Sequence, residues 1–331
     1  MQLVKSLIHP VFGTNTFVQI KNENMKTGKY LALFLLMLTI NICTKSAHAQ
    51  VYVKSSLISS SGYEDKDSLK TGSKGSANMI RAGVQLKLSM KVDTVIKGTD
   101  TFPSVTMWNV GFDGSRTHFN NKNMKQYDFP VNVYNGRVAV TYMHTLNKKW
   151  TLMSSLGAGV YTSSIDHITA RQVVGEGALI FIREIRPNLK IGVGVAFDNT
   201  FGFPMAYPGL LIDWAVDGRG GKYFVRVNSN ELKAGMKFSE SVQLSFSFEA
   251  SGASALYKDK MFTHTFLAAG LTPEFKVGKH INIPLTVGIS GARTMYSHKR
   301  KISDFFSYLN RDNVPGFSPS LYASAGIQYV F

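Results

Sequence analysis

Apolar and polar residues alternate along most of this chain after residue 50. Between residues 80 and 92 every even position is apolar, and every odd position is polar or glycine. The same pattern recurs at residues 242–251 and 281–290. Because successive side chains of a strand point to opposite faces, a period of two predicts strands with one apolar and one polar face.

Weaker alternation predicts further strands. They cover residues 106–112, 137–146, 150–161, 189–198, 210–217, 223–228, 232–238 and 267–277, while residues 51–59 and 178–185 are ambiguous. The clearest strands have about ten residues, the length that a tilted strand needs to cross a bilayer. Their polar faces hold few charges and many Gly, Ser and Thr residues, as a crowded barrel lumen would. A soluble sandwich of two sheets is the alternative.

The predicted connections alternate between short and long. Short turns fall at residues 147–149, 186–188, 239–241 and 278–280, and long loops at 113–134, 163–175, 251–263 and 293–318. Short turns on one rim and long loops on the other are typical of outer-membrane barrels. This arrangement requires two strands within residues 222–238, broken near Ser229 and Asn230. We therefore predict an all-β, transmembrane, antiparallel up-and-down β-barrel of twelve to fourteen strands.

One apolar run near the amino terminus predicts export. Residues 30–42 are apolar, follow Lys26 and Lys29, and precede the small-residue pattern of Ala47 and Ala49. The run is too short to span a bilayer, but it fits an N-terminal signal peptide at residues 25–49, cleaved between Ala49 and Gln50. Residues 1–24 are then an unusual extension or a product of start-site choice. The barrel domain would comprise residues 50–331.

Composition supports an exported β protein. Of the 331 residues, 44% are hydrophobic and 18% charged, where about 25% charged is usual for a soluble domain. The apolar content excludes a disordered chain, and the single cysteine, Cys43, excludes a disulfide framework. The 29 glycines, 22 phenylalanines and 14 tyrosines favour strands and turns.

The basic surplus, 37 Lys and Arg against 21 Asp and Glu, bears on what the lumen would admit. The cations predicted to face inward are Arg81, Lys87, Lys91, Arg137, Lys190, Arg226, Lys233, Lys237 and Lys276. The carboxylates predicted to face inward are Asp198, Asp213, Asp217, Glu249 and Glu274. This excess predicts a net positive lumen that favours anions. In the alternative, the same residues form ion pairs across the barrel and plug a narrow interior.

Catalytic and metal-binding patterns are weak. Lipid hydrolysis on a barrel surface needs a serine activated by histidine, and the nearest candidates are His144 and Ser154 on neighbouring strands. The histidines at 118, 167, 264 and 298 are scattered, so we predict no metal site and no cofactor. Nucleic-acid binding is not expected, because the charge accompanies no recognisable module.

The last strand carries the resemblance to a known class. Ile327, Tyr329 and Phe331 share one face, and Phe331 is the final residue. This resembles the carboxy-terminal signal by which outer-membrane barrels are recognised for assembly. The chain resembles outer-membrane β-barrel families of uncharacterised function found in Bacteroidota. The resemblance implies location in the outer membrane, with its lipid, lipopolysaccharide and the barrel-assembly machinery as partners. The basic residues 298–301 could contact lipopolysaccharide phosphates.

These observations predict passive or weakly selective passage of small solutes, anions among them, without catalysis. Two alternatives stay open. The first is a non-conducting structural or adhesive barrel, or an accessory part of an envelope complex. The second is an outer-membrane lipid-modifying enzyme.

Overall fold

A computed structural model describes residues 49–64, 70–97, 100–166, 168–200, 203–303, 307 and 315–331. The predicted extension at residues 1–24 and the signal peptide up to residue 48 lie outside this part, so both stay predictions. Within the described ranges, no helix has the length and apolar character needed to cross a membrane.

Strands account for almost all of the described chain. They are β1 (Ala49–Glu64), β2 (Lys70–Lys97), β3 (Asp100–Lys122), β4 (Asn132–Asn147), β5 (Trp150–Thr162), β6 (Val173–Arg186), β7 (Leu189–Asp198), β8 (Met205–Gly218), β9 (Gly221–Val227), β10 (Glu231–Lys237), β11 (Val242–Tyr257), β12 (Lys260–Val277), β13 (Ile281–His298), the two-residue β14 (Gly316–Phe317) and β15 (Ser320–Val330). Two short 3-10 turns occur at Lys125–Tyr127 and Ala170–Gln172.

The strands close into one antiparallel barrel. Each long strand pairs with the next along the chain, and β15 pairs with both β13 and β1. The closing ladder runs from Gln50 opposite Val330 to Ile58 opposite Tyr322. With β14 set aside as a short addition at one rim, fourteen strands form an up-and-down barrel, which confirms the predicted all-β fold. The predicted break near residues 229–230 separates β9 from β10.

The alternation in sequence determines which face points outward. In β11, Leu244, Phe246 and Phe248 are exposed, whereas the intervening Ser245 and Ser247 are buried in the lumen. Apolar side chains with no protein neighbour on their outer face form the surface that hydrocarbon would cover. The serine hydroxyls instead bond across the inner wall, where Ser247 Oγ lies 2.8 Å from Thr272 Oγ1.

Two predicted long loops are wrong because strands continue through them. Strand β3 extends to Lys122, and β4 begins at Asn132, so most of residues 113–134 are paired. Likewise, β11 and β12 join through a two-residue turn at Lys258 and Asp259, whose φ angles of 46° and 62° are those of a type I′ turn. These strand ends do not alternate clearly between apolar and polar residues, so the period-two pattern does not reveal them.

The tip of the β11–β12 hairpin crosses the barrel mouth on the long-loop side. Its residues 253–256 and 261–264 are buried on both faces. Leu256 pairs with Thr162 at the end of β5, and Asn135 on β4 donates to the carbonyl oxygen of Ser254 at 2.7 Å. Because β4 and β11 lie seven strands apart in either direction around the barrel, the hairpin tip reaches the opposite wall. We call residues 252–265 the crossing hairpin.

An apolar cluster fills the space between the crossing hairpin and the nearer wall. It contains Ile58, Tyr63, Ala77, Met79, Phe119, Met124, Val133, Ala253, Ala255, Phe262, Phe266, Ala268, Met295, Phe317 and Tyr322. The cluster includes Met124 from the β3–β4 connection, and Tyr127 and Phe129 of that connection pack against it. Burial of so many large apolar side chains holds the hairpin in place.

Candidate functional site in the barrel lumen

Charged side chains gather halfway along the lumen. A cavity of about 600 Å³ is lined there by Lys54, Arg81, Asp113, Arg137, Glu176, Glu231, Lys233 and Glu249. We call these eight residues the lumen belt. They come from seven different strands, so only the closed barrel brings them together.

One belt ion pair spans the lumen. The Lys54 Nζ on β1 lies 2.7 Å from Glu249 Oε2 on β11, four strands away around the wall. Tyr322 donates its hydroxyl to the same carboxylate oxygen at 3.1 Å. Glu249 is therefore held by a cation and a neutral donor from two different strands.

A second group of ion pairs lies on the opposite side of the belt. The Arg137 guanidinium donates from Nε to Asp113 Oδ1 at 3.2 Å, and its Nη1 lies 3.3 Å from Glu176 Oε2. Glu176 stands on β6, so Arg137 must reach over the intervening β5. Gly157 and Gly159 make room there, because a Cβ on Gly159 would lie 2.9 Å from the Cβ of Arg137.

Arg81 differs from the other belt cations. Lys233 pairs with Glu231 at 3.0 Å, and Lys54 and Arg137 are paired as described above. Arg81 also lines the cavity but forms no ion pair with any residue that the structure describes. Its Nε is buried and has no hydrogen-bond partner among those residues. Among the described belt residues, Arg81 is thus the cation that no carboxylate pairs with.

The belt is electrically balanced. It holds four cations and four carboxylates, so the expected excess of positive charge is not present around this cavity. The cross-barrel ion pairs of the alternative interpretation are present, but a cavity remains beside them. The excess is absent from this cavity because Lys54, Asp113, Glu176 and Glu231 also line it, and the alternation did not clearly define their strands or strand ends. A preference of the whole lumen for anions stays a prediction.

Asp198, at the end of β7, lies opposite the belt residue Glu176. The other predicted inward charges lie away from the belt, towards the rim that carries the tight turns. Three ion pairs there contain four of them: Lys190 with Glu184 at 3.7 Å, Arg226 with Asp213 at 3.7 Å, and Lys237 with Glu240 at 2.8 Å. Glu274 is buried and accepts a hydrogen bond from Asn282. The Nζ of Lys87 lies 3.7 Å from the sulfur of Met90. Lys91 and Lys276 are exposed. Of the predicted residues, Arg81, Arg137, Lys233 and Glu249 belong to the belt.

The terminal residues adjoin one another where the barrel closes. Ala49 is buried at the start of β1, its carbonyl oxygen accepts from the backbone N–H of Phe331 at 2.9 Å, and Gln50 lines the cavity. Ile327, Tyr329 and Phe331 are exposed on the outer surface, and the Tyr329 and Phe331 rings meet edge to face. Ala47 lies outside the described residues.

The candidate catalytic pair is not assembled. His144 lies opposite Leu152, and its Nδ1 is 2.8 Å from Thr106 Oγ1. Ser154 lies opposite Tyr142, and in the described part of the chain it makes no hydrogen bond to His144. The same part contains no group of three or more His, Cys, Asp or Glu side chains placed to hold a metal ion.

A family model described as "Domain of unknown function (DUF6268)" matches residues 45–330. No curated protein matches the chain at the level of sequence. Among solved structures, it is similar to the COG4313 outer membrane channel from Pseudomonas putida F1, with 8% identity, a TM-score of 0.44, and coverage of 86% of this chain and 96% of that chain.

Two further solved structures are a KdgM porin in complex with disordered oligogalacturonate and the outer membrane protease OmpT from Escherichia coli. The porin has 8% identity and a TM-score of 0.35, covering 86% of this chain and 99% of that chain. The protease has 10% identity and a TM-score of 0.24, covering 86% and 97%.

Proposed function

Because this chain belongs to the DUF6268 family, whose description assigns no activity, we propose its function from the lumen: weakly selective passage of small polar solutes across an outer membrane. The observation that carries the proposal is the polar, charge-balanced cavity at the lumen belt. A second cavity of about 510 Å³ shares Arg81, Asp113, Arg137, Glu176 and Glu249 with the first. The two cavities therefore extend one polar space along the lumen.

The membrane location rests on the outer surface and on the ends of the chain. The outward faces of the strands are apolar, as a hydrocarbon environment requires. Export by a signal peptide at residues 25–49 and recognition of Phe331 by the assembly machinery are parts of the same proposal. So are an origin in Bacteroidota and contact of residues 298–301 with lipopolysaccharide phosphates.

The crossing hairpin favours a second candidate function. Together with the apolar cluster, it fills the mouth over β1–β4 and β11–β15. A barrel closed in this way would act as a structural or accessory element of the envelope, without conduction. The polar space beside the hairpin, lined by Tyr161, Glu176 and Asp198, supports passage instead.

Planar-bilayer recording of the purified full-length protein separates these functions. Steady unit conductance steps are expected for a passage barrel, and replacing Arg81 by glutamine should shift the ion selectivity towards cations. Lys190→Gln is the matched control, because Lys190 lies near a tight turn and pairs with Glu184. A correctly folded barrel that gives no steps would contradict passage and support the structural role.

A further inference from the structure

Two adjacent strands of the barrel wall, β9 and β10, are short. Strands β9 and β10 have seven residues each, whereas a tilted strand needs about 9–11 residues to cross a bilayer. At about 3.3 Å per residue, the hairpin ends roughly 7–13 Å short along the strand direction. Its turn at Asn228–Asn230 contributes two asparagines to the lining of the belt cavity, so it ends halfway along the lumen.

Beyond the β9–β10 turn, the described strands β8 and β11 continue along the wall, but they do not pair with each other across the gap that the short hairpin leaves. The β8–β9 ladder ends at Ile212 opposite Val227, and the β10–β11 ladder ends at Glu231 opposite Glu249. In the described chain, residues 205–211 of β8 pair only with β7. Residues 251–257 of β11 pair with β12 and, through Leu256, with β5. We call this gap between β8 and β11 the wall notch.

The second cavity has lining residues from both sides of the wall at this notch. It is lined by the lumen residues Arg81, Asp113 and Glu176, and also by Ala250 and Leu267. Those two belong to the outward faces of β11 and β12, and Leu267 is 37% exposed. A cavity with both sets of lining residues connects the lumen with the surface that hydrocarbon would cover.

Polar backbone and side chains at bilayer depth are tolerated only where protein buries them or water reaches them. The β9–β10 turn satisfies part of this requirement itself, because Asn228 Oδ1 accepts from the backbone N–H groups of Asn230 and Glu231, both at 2.9 Å. Outward side chains next to the notch are apolar, with Leu210, Leu232 and Phe248 exposed. The notch therefore has a polar inner side and an apolar outer side, which suits an amphiphile.

The charges near the notch indicate the head group. Asp198 on β7 lies directly opposite Glu176 on β6, and two carboxylates in this position repel each other. Arg137 pairs with Glu176. Asp198 accepts a hydrogen bond from the backbone N–H of Thr200 at 2.9 Å and is hydrogen-bonded to the Tyr207 hydroxyl, but it forms no ion pair with any described residue. A cation bound beside Asp198 would supply a positive charge that balances its carboxylate.

We propose that the wall notch is a lateral binding site for a single-chain amphiphile with an amine head, its head beside Asp198 and its tail passing Ala250 and Leu267 into the outer leaflet. The proposal rests on the membrane location given under the proposed function. It does not require the lumen to conduct ions.

Site-directed fluorescence quenching of the full-length protein in lipid vesicles tests the opening. Single cysteines replace Asn230, Leu232 or Lys233 in a Cys43→Ser background and carry a bimane label. Lipid with a nitroxide on its acyl chain should quench positions 230 and 232, and aqueous iodide should quench positions 230 and 233. Quenching of position 232 but not 230 by the lipid nitroxide overturns the notch. If the lipid nitroxide quenches neither position, the membrane location itself fails.

A second measurement tests the occupant. The quantity measured is the quenching of the label at position 230 divided by the quenching of the label at position 232. This ratio should be several-fold higher for a hexadecylammonium probe with a nitroxide at its head than for hexadecyl phosphate with the same nitroxide. Asp198→Asn should abolish this preference, whereas Asp213→Asn should keep it, because Asp213 pairs with Arg226. Equal quenching by the two probes in the unmodified protein would overturn the amine head.

Discussion

The cross-lumen pair between Lys54 and Glu249 tests whether the lumen belt controls the ion path. Replacing Lys54 by methionine removes the charge but keeps an unbranched side chain. Of the described contacts of the Glu249 carboxylate, the hydroxyl of Tyr322 remains. The belt then has three cations against four carboxylates. Glu249→Gln produces the opposite imbalance, so the two variants should change selectivity in opposite directions.

The structure gives the size of both expected effects. The side chains of Lys54 and Glu249 are 31% and 18% exposed, between a surface pair and a buried one. Exposed pairs contribute up to about 1 kcal/mol, and breaking a buried pair costs about 3–5 kcal/mol. We therefore expect each variant to lower the free energy of unfolding by about 1–3 kcal/mol. One unbalanced charge about 4 Å from a hydrated ion contributes about 1 kcal/mol, or about fivefold in relative permeability.

Reversal potentials in planar bilayers under a potassium chloride gradient measure the permeability ratio, and urea unfolding in vesicles measures stability. Lys54→Met should raise the ratio of cation to anion permeability about fivefold, and Glu249→Gln should lower it by a similar factor. Lys190→Met should leave it unchanged, because that side chain is 49% exposed and lies away from the belt. An unchanged ratio in both belt variants would refute the idea that ions pass through the belt.

Three further predictions concern the wall, the mouth and the last residue. Gly159→Val should destabilise the barrel by about 1–3 kcal/mol in urea unfolding, whereas Gly136→Ala, where a Cβ meets nothing within 4 Å, should not. A hydrogen bond from Lys258 lowers the pKa of Asp128. This contact therefore stabilises the closed mouth at pH values above the ordinary carboxyl pKa, and the stabilisation is lost as pH falls through the lowered pKa. Channel openings in planar bilayers should become more frequent in acid, and Asp128→Asn should remove this pH dependence. Phe331→Ser should reduce barrel assembly in cells and leave refolding of the purified chain into vesicles unchanged; equal loss in both would contradict a recognition role.

The closed barrel was predictable because its outward and inward faces are sorted by a local rule. In β13, Leu285, Val287 and Ile289 alternate with small or polar residues, and the structure exposes all three on the outer surface. Hydrocarbon outside and water inside impose this period on every strand that lies between them. The same rule, combined with the short and long connections, also predicted the break near residues 229–230.

The belt was predictable only in part, because its composition depends on contacts between distant strands. Arg137 and Glu249 were recognised as inward from their own strands. Lys54 lies in the ambiguous segment at residues 51–59, and Asp113 lies at the start of a predicted loop. Period-two parity applied to β1 would have placed Lys54 inward with Tyr52. Nothing local shows that Lys54 meets a carboxylate four strands away.

The crossing hairpin explains why alternation stops where it does. A strand inside the lumen has protein on both faces, so neither face needs to be polar and neither can be bulky throughout. Residues 252–255 are Gly, Ala, Ser and Ala, and a Cβ on Gly252 would lie 2.2 Å from the carbonyl oxygen of His264. Small residues on consecutive positions let the two arms of the hairpin pack closely within the lumen. Loss of alternation within a long strand of small residues is therefore a sequence signal for a segment that leaves the wall and enters the barrel.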